Sequence, residues 1–280
     1  MKTFAIIPNE EKDIQLKATQ EIVKCLTDMD VSVVMEEVFR NKIAAVSYFP
    51  RTEVLNRADI CIVVGGDGTI LDIASEAAIA NVPLVGINYG NMGFLSQAER
   101  DDIHILRDIV DGRYEIDKRM MLEAKIMRNT NVFNSFQMLN DVVVFRGQYS
   151  RMINLNVEID GILAESYHAD GIIISTPTGS TAYSLSAGGA ILDPTMDSII
   201  ITPICPHTTR SRSLVVAGNR RITVRVPYRT RMDATVAADG NEAHVMGDDD
   251  YVEITKSPFT TNLIRLNDKN FFEILRNKMR

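Results

Sequence analysis

The sequence of 280 residues contains no tryptophan and only three cysteines. Cys25, Cys61 and Cys205 lie far apart, without the paired spacing of zinc or redox motifs. Two of them fall in apolar segments that are typical of strands. We therefore expect reduced, buried thiols rather than a disulfide framework, as in a cytoplasmic protein.

The sequence also contains no clear signal for a membrane span or for secretion. The one uncharged stretch long enough to cross a bilayer, residues 171–192, is rich in Ser, Thr, Gly and Pro. That composition is typical of a loop-rich segment. The first eight residues are too short for a signal peptide, and Pro8 interrupts them. We expect a cytoplasmic protein that does not associate with membranes.

Basic residues are fewer than acidic residues. The formal net charge is −7 and the isoelectric point is near 5.2. This balance argues against a surface for nucleic acid or anionic lipid. The 45% of hydrophobic residues is ample for a large core, and the length fits one large or two medium domains.

A glycine-rich loop is the most distinctive feature that is present. The apolar segment 60–64 predicts a buried strand, and Gly65-Gly66-Asp67-Gly68-Thr69 follows it directly. Glycines let backbone N–H groups approach phosphate, and the apolar spacing after Thr69 predicts a helix whose positive end faces the loop. We expect that helix to begin at Thr69, because Thr69 and Asp72 resemble a capping box.

Asp67 is the side chain of consequence in this loop. A carboxylate beside phosphate is unfavourable unless it binds a metal ion or accepts a proton from an attacking hydroxyl. The alternative is a tight turn in which Asp67 only caps backbone N–H groups.

The first 117 residues alternate between strand and helix patterns, which predicts a doubly wound parallel sheet with ligands at the carboxyl ends of its strands. The predicted strands are 4–7, 31–34, 60–64 and 82–87, and the predicted helices are 11–26, the segment after Thr69 and 103–110. Residues 88–94 form a second loop at such a strand end. Its Phe94 could stack on an adenine or nicotinamide ring, whereas Gly90 and Gly93 would suit a purely structural turn.

From about Lys118 the pattern changes to short strands separated by turn signals, which predicts a second domain rich in antiparallel sheet. The predicted strands are 120–127, 136–145, 153–159, 162–165, 171–175, 199–202, 213–216, 222–226, 234–237 and 251–255, followed by a helix over 270–276. The dipeptide Asp160-Gly161 between two of them is a strong hairpin signal.

Two stretches of this second domain carry polar residues that strand alternation does not explain. Asn140 and Asp141 interrupt an apolar segment, where they could bind the hydroxyls of a ribose or simply cap a strand edge. Residues 168–189 lead from a strand through Thr-Pro-Thr-Gly into a predicted helix near Ser180 or Thr181. A Ser/Thr-rich turn accounts for residues 176–180 but leaves Asp170, Tyr183 and Ser186 unexplained, so a nucleotide site is the better interpretation.

These motifs together resemble the NAD kinases. The segments that carry the resemblance are Gly65-Gly-Asp-Gly-Thr69, Leu139-Asn-Asp141, Asp170-Gly171, Thr176-Pro-Thr-Gly-Ser-Thr-Ala-Tyr183, Ser186-Ala-Gly-Gly189 and Thr202-Pro-Ile-Cys-Pro-His207. Their order and approximate spacing match the family over nearly the whole chain. The glycine loop alone also resembles diacylglycerol-type lipid kinases and 6-phosphofructokinases.

The resemblance implies phosphorylation of NAD by ATP at the 2′-hydroxyl of its adenosine ribose, with Mg²⁺ or another divalent cation accompanying the donor phosphates and no side-chain metal ligand. It implies that Asp67 accepts the hydroxyl proton. The implied nucleotide-binding residues are Asp67, Gly68, Phe94, Asn140, Asp141, Arg151, His168, Asp170, Thr181, Ala182, Tyr183, Ser184, Leu185, Ser186 and Asn241. Asn140 and Asp141 would bind ribose hydroxyls, Asp170 the nicotinamide half, and Tyr183 would stack near a base.

The resemblance also implies an α/β domain of residues 1–117 and 263–280, a β-rich NAD-binding domain of residues 118–262, and a homodimer or homotetramer. Two positions depart from the family pattern. Asp141 stands where a longer Glu is usual, and His168 stands where an arginine is frequent, which weakens a phosphate contact at neutral pH. A lipid or sugar kinase with the same loop and a non-catalytic NAD(P)-binding sensor remain the alternatives.

Overall fold

The computed structural model describes residues 2–88, 93–96, 98–99, 104–147, 151–208, 211–227, 234–241, 244–247, 249–266 and 271–279. The chain forms two compact units. The first unit contains Met1–Lys118 and Thr260–Arg280, and the second unit contains Arg119–Phe259.

Eighteen strands and six α-helices are assigned in the described residues. The strands are β1 (Thr3–Pro8), β2 (Ser32–Glu36), β3 (Ser47–Phe49), β4 (Ile60–Val64), β5 (Leu84–Asn88), β6 (Ala98–Glu99), β7 (Glu115–Arg128), β8 (Asn131–Met138), β9 (Asp141–Phe145), β10 (Ile153–Ile159), β11 (Ile162–Ala169), β12 (Gly171–Ser175), β13 (Ser198–Ile204), β14 (Leu214–Ala217), β15 (Ile222–Arg225), β16 (Thr235–Ala238), β17 (His244–Val245) and β18 (Tyr251–Arg265). The helices are α1 (Lys17–Thr27), α2 (Arg51–Val54), α3 (Asp67–Ala80), α4 (Ile105–Asp111), α5 (Tyr183–Ser186) and α6 (Phe271–Lys278).

The first unit contains a parallel sheet with the strand order β18-β5-β4-β1-β2-β3. Every residue of β4 and β5 is buried, as expected for central strands that helices cover on both faces. The last part of β18 joins this sheet, since Leu263 pairs in parallel with Leu84 of β5. The predicted doubly wound α/β fold, completed by a returning C-terminal segment, is confirmed.

The second unit contains two antiparallel sheets, and the hairpin β7–β8 joins the sheet of β18, because β7 pairs with β18. One sheet has the order β11-β10-β15-β18 and the other β14-β13-β12-β9-β16-β17. Buried residues of both sheets share one hydrophobic core, with Leu155 and Val224 from the first sheet and Ile172 and Ile199 from the second. The predicted β-rich, mainly antiparallel domain is confirmed.

The predicted hairpin at Asp160-Gly161 is confirmed in detail. Ile159 pairs directly with Ile162, so the loop has two residues, and both have positive φ angles, +51° and +81°. These angles are those of a type I′ turn, which matches the twist of the flanking strands.

Two predicted elements differ from those observed. The first helix begins at Lys17 rather than at residue 11, because Asp13 accepts hydrogen bonds from the N–H groups of Ala18 and Thr19 and the chain turns sharply before them. Ile14, which the apolar spacing of a helix over 11–26 would place on the buried face, is 72% exposed. The predicted strand 136–145 is two strands, β8 and β9.

Among the residues that the structure describes, including 171–192, no helix is long and apolar enough to cross a membrane.

Candidate functional site

The glycine loop joins β4 to α3 without any intervening residue other than Gly65 and Gly66. The helix begins at Asp67, two residues before the predicted start, because Gly66 occupies the N-cap position. The Thr69 hydroxyl is not a cap; it accepts a hydrogen bond from Asn9 Nδ2 at 3.0 Å. A Cβ on Gly65 would lie 2.5 Å from Thr69 Oγ1, so this packing requires a glycine.

The Asp67 carboxylate is held by the loop that follows β5. Its Oδ2 accepts a hydrogen bond from the N–H of Phe94 at 2.7 Å, and its Oδ1 accepts from Leu95 and Ser96 at 3.2 and 3.3 Å. A Cβ on Gly93 would overlap this carboxylate, so Gly93 cannot carry a side chain here. Asp67 therefore binds backbone N–H groups, as the alternative of a purely structural turn requires. These N–H groups belong to a separate loop and not to the turn that contains Asp67. Residues 89–92, with Gly90, lie outside the described residues.

Three further groups surround the loop. Gly68 is exposed, and a Cβ there would meet no atom within 4 Å. Lys12, from the loop after β1, lies beside Gly66. A Cβ on Gly66 would be 2.8 Å from Lys12 Nζ. The Phe94 ring packs against Phe271, with 6.1 Å between ring centroids, and Lys278 Nζ lies 4.7 Å from the Phe94 centroid. The glycine loop thus has an open side and a nearby positive charge.

In the second unit, Asn140 and Asp141 lie at the break between β8 and β9 and are 9% and 5% exposed. The Asp239 carboxylate accepts hydrogen bonds from the N–H groups of Leu139, Asn140 and Asp141 at 2.7, 2.8 and 3.0 Å. Burial, together with the charge of Asp239, raises the pKa of Asp141 to about 7. Burial also raises the pKa of Asp239, against the lowering effect of its three N–H donors.

The Thr-Pro-Thr-Gly segment after β12 holds the same break from its carbonyl side. The N–H of Thr176 donates to the carbonyl of Asn140 at 2.8 Å, and its hydroxyl donates to the carbonyl of Leu139 at 2.6 Å. Ser175 Oγ also donates to the Asn140 carbonyl, at 3.0 Å. A Cβ on Gly179 would lie 2.4 Å from this carbonyl oxygen. Two of the predicted site segments therefore meet, a contact that the sequence pattern did not predict.

The predicted helix near Ser180 is a 3₁₀ turn, Gly179–Thr181, followed by the single turn α5. Tyr183 is 47% exposed and Ser186 is exposed, while Thr181, Ala182 and Leu185 are half-buried. Ser184 points inward, and its hydroxyl lies 2.9 Å from Thr202 Oγ1. The segment thus offers Tyr183 and Ser186 to solvent and uses Ser184 for packing.

The remaining predicted residues lie on other strand ends of the second unit. Asp170, between β11 and β12, forms an ion pair with Arg146, with 2.8 Å between Oδ1 and Nε. His168 Nδ1 lies 2.8 Å from Asn154 Oδ1, and its ring lies beside that of His207. Arg151 and Asn241 are exposed, and Asn241 directly follows the Asp239-Gly240 turn.

Sequence reasoning missed Lys12, Arg146 and Asp239. The sequence Asp239-Gly240-Asn241 is typical of a turn and gives no sign that the Asp239 carboxylate binds a loop 98 to 100 residues earlier in the chain. Among the described residues, no group of three or more His, Cys, Asp or Glu side chains gathers in a way that could hold a metal ion.

Comparison with known proteins gives the same family for both halves of the chain. The family model described as the ATP-NAD kinase N-terminal domain matches residues 4–114, and that of the ATP-NAD kinase C-terminal domain matches residues 139–266. The NAD kinase of Thermoanaerobacter sp. (strain X514) is 40% identical over 281 residues, which cover 100% of this chain and 99% of that protein. The NAD kinase of Natranaerobius thermophilus is 34% identical, covering 100% and 98%.

Two solved structures are also similar to this chain. The yeast NADH kinase complexed with NADH has a TM-score of 0.88 at 24% identity, covering 100% of this chain and 87% of that one, which supports the fold. The Archaeoglobus fulgidus NAD kinase in complex with ATP has a TM-score of 0.78 at 26% identity, covering 99% and 98%. With both family models matched and relatives similar over the full length, the chain belongs to the ATP-NAD kinase family.

Proposed function

We propose that this member of the NAD kinase family transfers the γ-phosphate of ATP to the 2′-hydroxyl of the adenosine ribose of NAD, giving NADP, with Asp67 as the proton acceptor. The observation that carries the proposal is the position of Asp67, a carboxylate held in place at the start of α3 beside an open glycine loop. The full-length similarity to NAD kinases supports the overall reaction.

The hydrogen bonds to Asp67 leave it able to act as a base. Its Oδ1 accepts from two N–H groups and its Oδ2 from one. Because each carboxylate oxygen can accept two hydrogen bonds, Oδ2 retains one position for a hydroxyl group. The three N–H donors fix the orientation of the carboxylate, which is the requirement for a general base that must meet a hydroxyl in one geometry.

Donor phosphates suit the glycine loop on electrostatic grounds. The N-terminus of α3 provides N–H groups and a partial positive charge, and Lys12 adds a full positive charge. These groups offset the repulsion between phosphate and Asp67. We propose that the donor phosphates carry Mg²⁺ or another divalent cation, which would neutralise part of their charge when bound.

We propose that NAD binds to the residues named from the sequence: Gly68, Phe94, Asn140, Asp141, Arg151, His168, Asp170, Thr181, Ala182, Tyr183, Ser184, Leu185, Ser186 and Asn241. The Asn140 amide and the Asp141 carboxyl suit ribose hydroxyls, because together they donate and accept. Exposed Tyr183 is available to stack on a base. Ser184 is buried with its hydroxyl against Thr202, so we propose that it contacts NAD through its backbone.

The predicted domains, residues 1–117 with 263–280 and residues 118–262, are proposed as functional units that carry the glycine loop and the NAD-binding residues respectively. A cytoplasmic location and assembly as a homodimer or homotetramer are likewise proposals. The assembly follows from the family resemblance, and the cytoplasmic location from the cysteine pattern.

A coupled assay tests the reaction. Purified protein is incubated with NAD, ATP and Mg²⁺, and NADP is detected with an NADP-specific dehydrogenase. We expect NADP only when both nucleotides are present. NAD binding by calorimetry without NADP formation would favour a sensor, whereas absence of both would contradict the proposal and direct the search to lipid or sugar acceptors.

A further inference from the structure

The break between β8 and β9 is fixed from two sides by hydrogen bonds that none of the predicted ligand-binding side chains makes. Thr176 and Ser175 bind the carbonyl groups of Leu139 and Asn140. Asp239 binds the N–H groups of Leu139, Asn140 and Asp141. Every one of these partners lies in the second unit.

Asp239 also closes the arrangement with its own backbone. Its N–H donates to the carbonyl of Asp141 at 2.9 Å, while its carboxylate accepts from the N–H of the same residue. Charged acceptors form stronger hydrogen bonds than neutral ones, and three donors on one carboxylate leave it little freedom to move. The positions of the Asn140 and Asp141 side chains therefore depend on Asp239.

We infer that Asp239 is a positioning residue for NAD, which holds Asn140 and Asp141 in the orientation that binds the ribose hydroxyls. The inference rests on the proposed function. It explains why a buried turn of an antiparallel sheet carries a carboxylate close to a second buried carboxyl group, an arrangement that costs stability.

Asp239→Asn is the primary test. Asn has a single acceptor oxygen, so it retains the bonds to Asn140 and Asp141 only by placing its amide group against the N–H of Leu139, where two donors meet. Asp239→Glu is the second variant, because it keeps the charge and moves the acceptors by one methylene group. Kinetic constants are measured per folded protein, with folding followed by circular dichroism and thermal unfolding.

The control is Asp250→Asn. Asp250 is another buried carboxylate of the second unit that accepts a backbone N–H, from Gly247, and it pairs with Arg128 rather than with a predicted ligand-binding residue. Asp250→Asn matches the loss of a buried, hydrogen-bonded charge. It should lower the melting temperature without changing the KM for NAD.

We expect Asp239→Asn to raise the KM for NAD about tenfold, with a smaller rise for Asp239→Glu, while the KM for ATP stays within about twofold. The effect should shrink when Asn140→Ala is combined with Asp239→Asn, because Asp239 acts through that residue. An unchanged KM for NAD in both folded variants, or an equal change in Asp250→Asn, would overturn the inference. If the wild-type protein forms no NADP, the proposed function itself is contradicted. Failure of the inference and failure of the proposed function are therefore distinguishable.

Discussion

Arg146 and Asp170 are joined twice. Arg146 Nε lies 2.8 Å from Asp170 Oδ1, and the backbone N–H of Arg146 donates to the carbonyl of Asp170 at 2.9 Å. Both contacts form at one end of the β9–β12 pair, where Phe145 is opposite Gly171. The ion pair thus fixes the direction of a carboxylate that we propose to contact NAD.

Arg146→Gln should therefore raise the KM for NAD several-fold and change kcat less. Both side chains are about a third exposed, so the cost in stability should be at most about 1 kcal/mol. Steady-state kinetics with varied NAD checks this. Arg220→Gln is the control, because it breaks a similar ion pair with Asp160 at the β10–β11 hairpin. Equal kinetics for the two variants would contradict a role for the pair in binding.

Asp67→Asn should lower kcat by about two to four orders of magnitude, because it removes the proton acceptor, and should leave NAD binding intact. Asn keeps one acceptor oxygen for the loop at 94–96, so the fold should persist. Turnover is measured by the coupled assay and NAD binding by calorimetry. Asp72→Asn, an exposed position on the same helix, should behave as wild type. Unchanged turnover in Asp67→Asn would remove Asp67 from the mechanism.

Gly179→Ala should impair both stability and NAD binding. Its Cβ would lie 2.4 Å from the Asn140 carbonyl and 2.5 Å from Ser175 Oγ, so the loop must move, at a cost of about 1–3 kcal/mol. Gly161→Ala offers a comparison, since its positive φ costs about 1–2 kcal/mol at an open turn. Urea unfolding and the KM for NAD separate the two variants. A rise in KM for Gly161→Ala of the same size would show that general destabilisation is sufficient.

The stability of the protein should depend on pH through Asp141. Its pKa is about 7 in the folded state and 3.8 in an unperturbed chain, so between these values the folded state binds the extra proton. The free energy of unfolding should therefore fall as pH rises from about 4 to 7, by about 1.4 kcal/mol per unit of pKa difference at most. Unfolding in urea at several pH values, for wild type and Asp141→Asn, measures this. The two proteins should differ in slope in that range; parallel curves would contradict the shift.

Local patterns were sufficient for much of the fold. The uncharged segment of β4 predicted a central strand, and Asp160-Gly161 predicted a two-residue hairpin, because each signal acts through neighbouring residues. The sequence pattern marks Asn140-Asp141 and the Thr176 segment as candidate site segments but does not predict that they meet. The structure supplies the contacts that join them.

Long-range contacts were beyond the sequence pattern. The apolar spacing of 11–26 predicted one helix, whereas Asp13 bonds Ala18 and Thr19 and delays its start. Residues 136–145 looked like one strand because apolar residues flank Asn140 on both sides. Asp239 lay in a turn signal, and no local feature linked its carboxylate to the break between β8 and β9.

Strand β18 has a consequence for synthesis on the ribosome. Its residues from Thr260 onward belong to the first unit, where Leu263 pairs with β5 and Ile264 enters the core with Phe4 and Ile62. Residues 1–118 leave the ribosome first, yet their core lacks these side chains until the whole second unit has been translated. The sheet of the first unit therefore remains incomplete at one edge until a strand more than a hundred residues later has been translated.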